Sequence, residues 1–291
     1  MKYDMPLFRP PSEAFSLILQ VTIGCSHNAC SFCGTYKMKK FRIKDWHEIE
    51  SDIKEAAYYS GDAERIFLAD GNALTMETEM LVSLLERLYK TFPRLKRVSS
   101  YAGPKDLLKK TGDELRLIRE SGLNMIYLGV ESGSDHILRE VNKGVNSDEM
   151  VLAGRKAKDA GFDLSVTVLV GLGGKMRSNE NAVETAAVLN RIQPDYVGAL
   201  TLTPIPNTVL YKKLTKGEFS LLDPLETLQE IKWMLEKLEL EKCLFRCNHA
   251  SNYLPLKGSF PEDKEALTKL LDDVVSNPGK YRLKPEHLRG L

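Results

Sequence analysis

Short apolar runs alternate with longer amphipathic stretches from residue 15 almost to the end of the chain. Several of the runs are nearly continuous in apolar residues, as expected of strands that are covered on both faces. This alternation is typical of βα units around a parallel sheet. The predicted strands are 16–23, 65–69, 97–101, 125–130, 164–170, 196–202 and 243–246.

The amphipathic stretches carry signals of helix starts and stops. Asp45 is followed three residues later by Glu48, a capping-box pattern that predicts a helix to about Ser60. Glycines stand where several helices are expected to end. Further helices are predicted over 76–92, 113–121, 147–160, 179–192 and 224–240.

About six βα units followed by a smaller C-terminal portion predict an α/β fold, a partial (β/α)6 barrel of the TIM type with a short C-terminal extension. We expect an N-terminal extension over 1–14, a barrel core over 15–215 and a C-terminal extension over 216–291 that covers the barrel mouth. Ligands of such folds bind at the C-terminal ends of the strands, so the residues that follow each strand are the candidates for function.

Composition narrows the class of protein. Lys plus Arg total 41 against 40 Asp plus Glu, so the overall charge favours neither a nucleic-acid binder nor an acidic, solvating chain. No stretch approaches the roughly 18 apolar residues of a membrane span, and the N-terminus lacks a signal-peptide pattern, so we expect a soluble, cytoplasmic protein. Three of the five cysteines lie within nine residues, which favours a metal centre over a disulfide framework.

The loop after the first predicted strand contains Cys25, Cys30 and Cys33 in the spacing Cys-x4-Cys-x2-Cys. Three thiolates can bind three irons of a 4Fe-4S cluster and leave the fourth iron open for chemistry. Zinc is the alternative, but a structural zinc normally takes four ligands, and His27 would have to fold back into a cramped chelate. Three inert, buried cysteines are a further alternative, which the polar, glycine-flanked loop argues against.

The cysteine loop resembles that of the radical S-adenosylmethionine superfamily, whose usual spacing is Cys-x3-Cys-x2-Cys with an aromatic residue before the last cysteine. Phe32 occupies the aromatic position, and the first spacer is one residue longer here. Later strand ends are similar, in order, to the core of the methylthiotransferase, Elongator catalytic subunit and coproporphyrinogen dehydrogenase branches. The resemblance implies two cofactors, one 4Fe-4S cluster and S-adenosylmethionine.

The resemblance also assigns cofactor contacts after the second and fourth predicted strands. The turn Asp70, Gly71, Asn72 stands where the superfamily has a Gly-Gly-Glu-like turn that takes the methionyl ammonium, although an ordinary turn explains these residues equally well. Glu131 lies in a segment similar to Gly-x-Glu-Ser-Gly-Ser and is assigned to the ribose hydroxyls. Lys143 is assigned to the methionyl carboxylate, with a solvated helix end as the alternative.

Two further strand ends are similar to superfamily segments that lie beside the adenine of S-adenosylmethionine. Gly171 begins a glycine-rich turn that resembles the Gly-x-Ile-x-Gly-x-x-Glu region, with Gly174 in the position of the glutamate. Thr203 precedes Pro-Ile-Pro-Asn-Thr, which is similar to a Pro-x-Pro-Gly-Thr segment whose backbone meets the adenine. With Phe32, these residues complete the predicted cofactor contacts.

The substrate is expected to contact residues outside the common core. Arg246 ends a short predicted strand and His249 follows it, and we predict that they line the substrate pocket, with a hydrogen-bonded structural loop as the alternative. Cys247 is predicted to donate a hydrogen atom to a substrate radical. Cys243 and Cys247 are too few for a second cluster, which a methylthiotransferase would require.

Five of the eight residues from Lys37 to Lys44 are basic. They predict a solvated loop or a docking surface for an acidic, low-potential electron donor of the flavodoxin or ferredoxin type, with an RNA or anionic-substrate track as the alternative.

The resemblance implies an enzyme that reductively cleaves S-adenosylmethionine at the cluster. The resulting 5′-deoxyadenosyl radical would abstract hydrogen from a small-molecule substrate. The sequence leaves open whether the enzyme is an oxidoreductase or a transferase. A radical enzyme that modifies tRNA or another RNA and a non-enzymatic zinc-binding module are the alternatives.

Overall fold

The computed structural model of the protein describes residues 1–290, and Leu291, the last residue of the predicted C-terminal extension, lies outside the described residues. Strands and helices alternate along most of the chain, as the hydrophobic pattern predicts. The strands are β1 Leu17–Gln20, β2 Thr22–Ile23, β3 Arg42–Ile43, β4 Arg65–Ala69, β5 Arg97–Ala102, β6 Leu123–Glu131, β7 Asp163–Val170, β8 Tyr196–Thr201, β9 Cys243–Cys247 and β10 Leu256–Phe260. The helices are α1 Trp46–Ser60, α2 Thr78–Thr91, α3 Pro104–Lys109, α4 Gly112–Glu120, α5 Asp135–Glu140, α6 Ser147–Asp159, α7 Ser178–Ile192, α8 Val209–Thr215, α9 Pro224–Lys237 and α10 Lys264–Ser276.

Within residues 1–290, one sheet runs in the order β1-β4-β5-β6-β7-β8-β9-β10, and β2 pairs with β3 in a second, small sheet. The pairs β1–β4, β4–β5, β5–β6, β7–β8 and β8–β9 are parallel, whereas β9–β10 is antiparallel. Parallel neighbours need a crossover connection, which the intervening helices provide. The predicted α/β fold on a mostly parallel sheet that does not close is therefore confirmed.

Some elements differ from the sequence-based prediction. The single predicted strand 16–23 is divided into β1 and β2, because β1 pairs with β4 while β2 pairs antiparallel with β3. The short strand β3 and the antiparallel strand β10 were not predicted. Helices α3, α8 and α10 were also missed, and the first two are only six and seven residues long.

The described residues divide into two compact units. The first unit consists of Met1–Asn28, Thr35–Leu128 and Lys156–Leu164, and the second consists of Ala29–Gly34, Gly129–Arg155 and the chain from Ser165 onward. The predicted domain boundaries after residues 14 and 215 stay a prediction.

The first unit has an aromatic core that includes Phe67, Tyr101 and Tyr127, with the rings of Phe67 and Tyr101 edge to face at 5.1 Å. The fully buried carboxylate of Glu13 closes one side of this core: its Oε1 accepts hydrogen bonds from the Tyr127 hydroxyl at 2.6 Å and from the Arg97 guanidinium at 2.6 Å. A buried carboxylate is stable only with such partners, so they fix the N-terminal segment on the core.

The second unit has an apolar core to which Phe32 of the cysteine loop contributes. The buried members of this core come from α5, from the turns after β7 and β8 and from α8, and they are Ile137, Val141, Leu172, Leu202 and Leu210. Phe32 is partly buried against them. The half of the cysteine loop that carries Cys30 and Cys33 is thereby anchored in this core.

Over residues 1–290, none of the helices is both long enough and apolar enough to cross a membrane.

Candidate cofactor site

The three clustered cysteines lie on the loop between β2 and β3, and all three are partly exposed. None of the five cysteines, all of which the structure describes, is in a disulfide bond. Among residues 1–290, no three His, Cys, Asp or Glu side chains are gathered around a place for a single metal ion.

The backbone around Cys25 is held by the turn that follows β4. The Gly71 amide donates to the Gly24 carbonyl at 2.9 Å, and the Gly24 amide donates to Asp70 Oδ2 at 3.1 Å. A β-carbon on Gly71 would lie 2.6 Å from the Cys25 Cα, so only glycine permits this approach. The Ser26 amide donates to Asn72 Oδ1 at 3.1 Å. The predicted cofactor turn Asp70-Gly71-Asn72 therefore positions Cys25.

Asp70 is fully buried, and its charge is balanced by a lysine from the basic run. Lys39 Nζ lies 2.7 Å from Asp70 Oδ2, and both side chains are at most 2% exposed. Asp70 Oδ1 is buried and has no hydrogen-bond partner within residues 1–290. Burial and the neighbouring Asp70 raise the pKa of Tyr36, so the Tyr36 phenol stays neutral beside this pair.

Asn72 connects the Cys25 loop to α3. Its Nδ2 donates to Ser26 Oγ at 2.6 Å and also to Asp106 Oδ2. Burial raises the pKa of Asp106, and the hydrogen bond from Asn72 offsets part of that effect. The side-chain groups of Asn72 are thus engaged with the cysteine loop and with Asp106.

Glu131 and Lys143, to which the resemblance assigns different parts of the cofactor, form an ion pair with each other. Lys143 Nζ lies 3.0 Å from Glu131 Oε1, and the two side chains are 10% and 14% exposed. Burial disfavours the charged lysine, but the Glu131 carboxylate and, after it, the thiolate forms of Cys30 and Cys33 outweigh burial, so the pKa of Lys143 is raised. A stable positive charge therefore faces two of the three cysteines.

The backbone of Glu131 adopts the left-handed conformation, with φ +67°. A long side chain in this region costs on the order of 1 kcal/mol or more, and such strain is concentrated at functional sites. Gly129, two residues earlier, leaves room for the pair: a β-carbon there would collide with Glu131 Oε1 and lie 3.1 Å from Lys143 Nζ.

The turn after β7 is held by a carboxylate that the sequence-based prediction missed. The Gly171 amide donates to Glu230 Oε1 at 2.7 Å, and Gly171 itself has φ +85°. Burial raises the pKa of Glu230 to about 7. After β8, Thr203 is partly buried, and its Oγ1 lies 3.4 Å from Arg289 Nη2.

The residues predicted to serve the substrate do not share one surface. Arg246 is exposed on β9, and Cys247, the next residue along the strand, is fully buried on the opposite face. Burial raises the pKa of Cys247 to about 12. His249 is half-buried, with Nδ1 at 2.9 Å from Ser251 Oγ; burial, and secondarily the charge of Lys284, lowers its pKa.

The loop that follows β9, which contains His249, is attached to the end of β8. Asn252 is 2% exposed, and its Oδ1 accepts hydrogen bonds from the Thr201 amide at 2.8 Å and the Thr201 hydroxyl at 2.9 Å. The predicted substrate segment therefore lies where a parallel strand ends.

The basic run offers less free charge than its composition indicates. Lys39 pairs with Asp70, Lys44 pairs with Asp52 at 2.7 Å, and Arg42 contacts both carboxylate oxygens of Glu48 at 2.6 and 2.8 Å. Lys37 and Lys40 are exposed. Residues 38–42 line one side of a cleft of about 440 Å³.

Sequence reasoning missed Lys39 as the partner of Asp70 because a basic run has no feature that marks one member as buried. Glu230 had a readable signal. It stands among the core-facing positions of α9, with Thr227, Ile231 and Met234, where a charged residue needs a polar partner.

Comparison with known proteins matches residues 19–186 to the model of the radical SAM superfamily. The heme chaperone HemW of Bacillus subtilis is 23% identical over 207 residues, which are 68% of this chain and 53% of that protein. The tRNA-2-methylthio-N(6)-dimethylallyladenosine synthase of Clostridium tetani is 29% identical over 203 residues, 66% of this chain and 42% of that protein. The chain thus spans about half the length of these relatives, or less.

A solved structure shows the same fold. Coproporphyrinogen III oxidase (HemN) from Escherichia coli superposes with a TM-score of 0.56 at 17% identity, over 76% of this chain and 52% of that one.

Proposed function

The chain belongs to the radical SAM superfamily, and from that premise we propose that it reductively cleaves S-adenosylmethionine and takes a hydrogen atom from a small-molecule substrate. Proteins of this family use a 4Fe-4S cluster and S-adenosylmethionine and are generally enzymes, so the predicted family and its cofactors are confirmed. The reaction, the substrate and the roles of individual residues are the proposal.

The residues of the cysteine loop fit a 4Fe-4S cluster. Cys25, Cys30 and Cys33 provide three partly exposed thiols on one loop, which is the donor set for three irons. Cluster thiolates carry negative charge, and the buried ammonium of Lys143 supplies positive charge beside Cys30 and Cys33. A structural zinc would need a fourth ligand, and the chemistry of this donor set favours the cluster.

When bound and reduced, the cluster supplies the electron that splits the carbon–sulfur bond of S-adenosylmethionine and so provides a 5′-deoxyadenosyl radical. The chain's own residues hold the cluster ligands in place and orient S-adenosylmethionine. The Asp70-Gly71-Asn72 turn holds the backbone of Cys25 through hydrogen bonds to Gly24 and Ser26. Preorganisation of this kind keeps the metal ligands in place when the cofactor binds.

We assign the polar ends of S-adenosylmethionine to the pair Glu131 and Lys143. A carboxylate accepts hydrogen bonds from the ribose hydroxyls, and an ammonium binds the methionyl carboxylate. The two groups lie 3.0 Å apart and compensate each other's charge, so one small region offers both an acceptor and a cation to the cofactor. Phe32, Gly171 and Thr203 are proposed as further contacts of the cofactor.

A small-molecule substrate is favoured over RNA by the ion pairs of the basic run. Three of its five basic side chains are paired with Asp70, Asp52 and Glu48, so the run presents little charge to a phosphate backbone. The exposed Lys37 and Lys40 suit the docking of an acidic electron donor of the flavodoxin or ferredoxin type. The substrate roles of Arg246, Cys247 and His249 stay a proposal, and because Arg246 and Cys247 lie on opposite faces of β9, they would have to act on different sides of that strand.

Anaerobic reconstitution with iron and sulfide, followed by electron paramagnetic resonance of the reduced protein, tests this proposal. The expected result is about four irons per chain and a signal that changes when S-adenosylmethionine is added. Cys30→Ala should lose the cluster, whereas the matched control Cys243→Ala should retain it. A colourless protein with about one zinc per chain would contradict the proposal and support the zinc-binding alternative.

A further inference from the structure

Glu230 is a buried carboxylate on α9, in a part of the chain that the superfamily match does not reach. The residue is 2% exposed. A carboxylate removed from water to this extent must be hydrogen-bonded, and its partners indicate what it holds in place.

Both oxygens of Glu230 accept hydrogen bonds from the segment that follows β7. Oε1 accepts from the Gly171 amide at 2.7 Å and from Asn181 Nδ2 at 2.8 Å. Oε2 accepts from the Ser178 hydroxyl. The turn itself reads Gly-Leu-Gly-Gly and has no polar side chain that could hold it. Glu230 therefore provides, from another helix, the side-chain support that this turn lacks.

The same contacts continue toward Glu131. Asn181 Oδ1 accepts from the Ser132 hydroxyl at 2.6 Å, and Ser132 directly follows Glu131 in the chain. Glu131 and Glu230 also line one small cavity of about 10 Å³, about the room that one water needs. A continuous series of hydrogen bonds thus connects Glu230 with the residue beside the proposed ribose ligand.

We propose that Glu230 is a positioning residue for the adenosine half of S-adenosylmethionine. It holds the Gly171 turn directly and the Glu131 end of β6 through Asn181 and Ser132. This inference rests on the proposed function, because it takes Gly171 and Glu131 as contacts of that cofactor. Glu230 thus supports the adenosine side of the proposed site from the C-terminal part of the chain.

The test is calorimetric binding of S-adenosylhomocysteine to the reconstituted protein, a measurement that needs no turnover. Glu230→Ala should weaken binding on the order of tenfold, the usual scale for loss of a partner that orients a ligand-binding group. Glu230→Gln should bind within about threefold of wild type, because its amide oxygen still accepts two hydrogen bonds and its NH2 donates to the Ser178 hydroxyl. Glu236→Ala, at an exposed position of the same helix, is the matched control and should bind as wild type does.

The outcomes separate the inference from the proposed function. If the wild-type protein binds no S-adenosylhomocysteine, both the proposed function and the inference about Glu230 are contradicted. Equal binding by wild type and Glu230→Ala overturns the inference alone. Equally weak binding by Glu230→Gln and Glu230→Ala also overturns it, because the inference assigns the effect to the hydrogen bonds of residue 230, which glutamine can still form, and not to its charge.

Ser132→Ala keeps the inference testable if Glu230→Ala does not fold. It removes the Ser132–Asn181 hydrogen bond beside Glu131 and leaves the contacts of Glu230 intact. We expect several-fold weaker binding of S-adenosylhomocysteine, and unchanged binding would show that the series of hydrogen bonds does not reach the cofactor.

Discussion

Replacement of Glu230 by glutamine should remove a pH dependence from the stability of the protein. Burial raises the pKa of Glu230 from 4.5 to about 7, and the groups that face its oxygens are the neutral Gly171 amide, Ser178 and Asn181. The folded protein therefore holds this proton more tightly than the unfolded chain does. Its stabilising effect is fully present below about pH 4.5 and is lost as the pH rises through about 7.

The magnitude follows from the size of the shift. A pKa difference of about 2.5 corresponds to about 3 kcal/mol, since each pKa unit is worth about 1.4 kcal/mol. About 2 kcal/mol of this stabilisation is lost between about pH 5.5 and about pH 8.5. Glutamine does not titrate, so the stability of Glu230→Gln relative to wild type should rise by about 2 kcal/mol over that interval.

Urea unfolding of both proteins at the two pH values measures this difference, and every other titrating group cancels in the comparison. Glu236→Gln, on the same helix and exposed, should follow wild type. Parallel stability curves for wild type and Glu230→Gln, or a relative loss of stability in the variant at high pH, would refute the account of Glu230 as a buried, proton-binding carboxylate.

Two further substitutions test the contacts around the cysteine loop. Gly71→Ala should lose most of its iron on reconstitution, because the new β-carbon would lie 2.6 Å from the Cys25 Cα, whereas Gly279→Ala, with no atom within 4 Å, should load normally; equal iron in both would contradict the role of the turn. Lys143→Met should lower the midpoint potential of the reconstituted cluster by tens of millivolts and cost about 3 kcal/mol in urea unfolding, because it leaves Glu131 buried without its partner; an unchanged potential would place the lysine away from the cluster.

The strands that pair in parallel were largely predictable from the sequence. The bounds of β4, β7 and β8 lie within about one residue of the prediction. β4 is a short, continuous apolar run, whereas β7 and β8 alternate fully buried residues with less buried ones, and both patterns are strand signals. β3 has two residues and exists only through its pairing with β2, so no local pattern could reveal it. β10 has only two apolar residues, Leu256 and Phe260, with Lys257, Gly258 and Ser259 between them, and this composition is equally compatible with a loop.

Most residues of the candidate site could also be predicted from the sequence, but the contacts between their side chains could not. The spacing of the cysteines and the polar residues that follow the strands indicate the candidate site, because functional residues of such folds lie at the C-terminal ends of the parallel strands. The pairing of Lys39 with Asp70 and of Lys143 with Glu131 joins positions 31 and 12 residues apart. Such pairs are decided by the tertiary fold, which brings a buried charge its partner, and no periodicity in the sequence encodes them.

Cleavage of S-adenosylmethionine by the reconstituted protein tests the central claim most directly. The protein, with about four irons per chain, is reduced anaerobically with S-adenosylmethionine present, and 5′-deoxyadenosine is measured by chromatography. We predict that 5′-deoxyadenosine and methionine form in equal amounts and that Cys25→Ala forms neither. A protein with its full complement of iron that releases no 5′-deoxyadenosine would contradict the account.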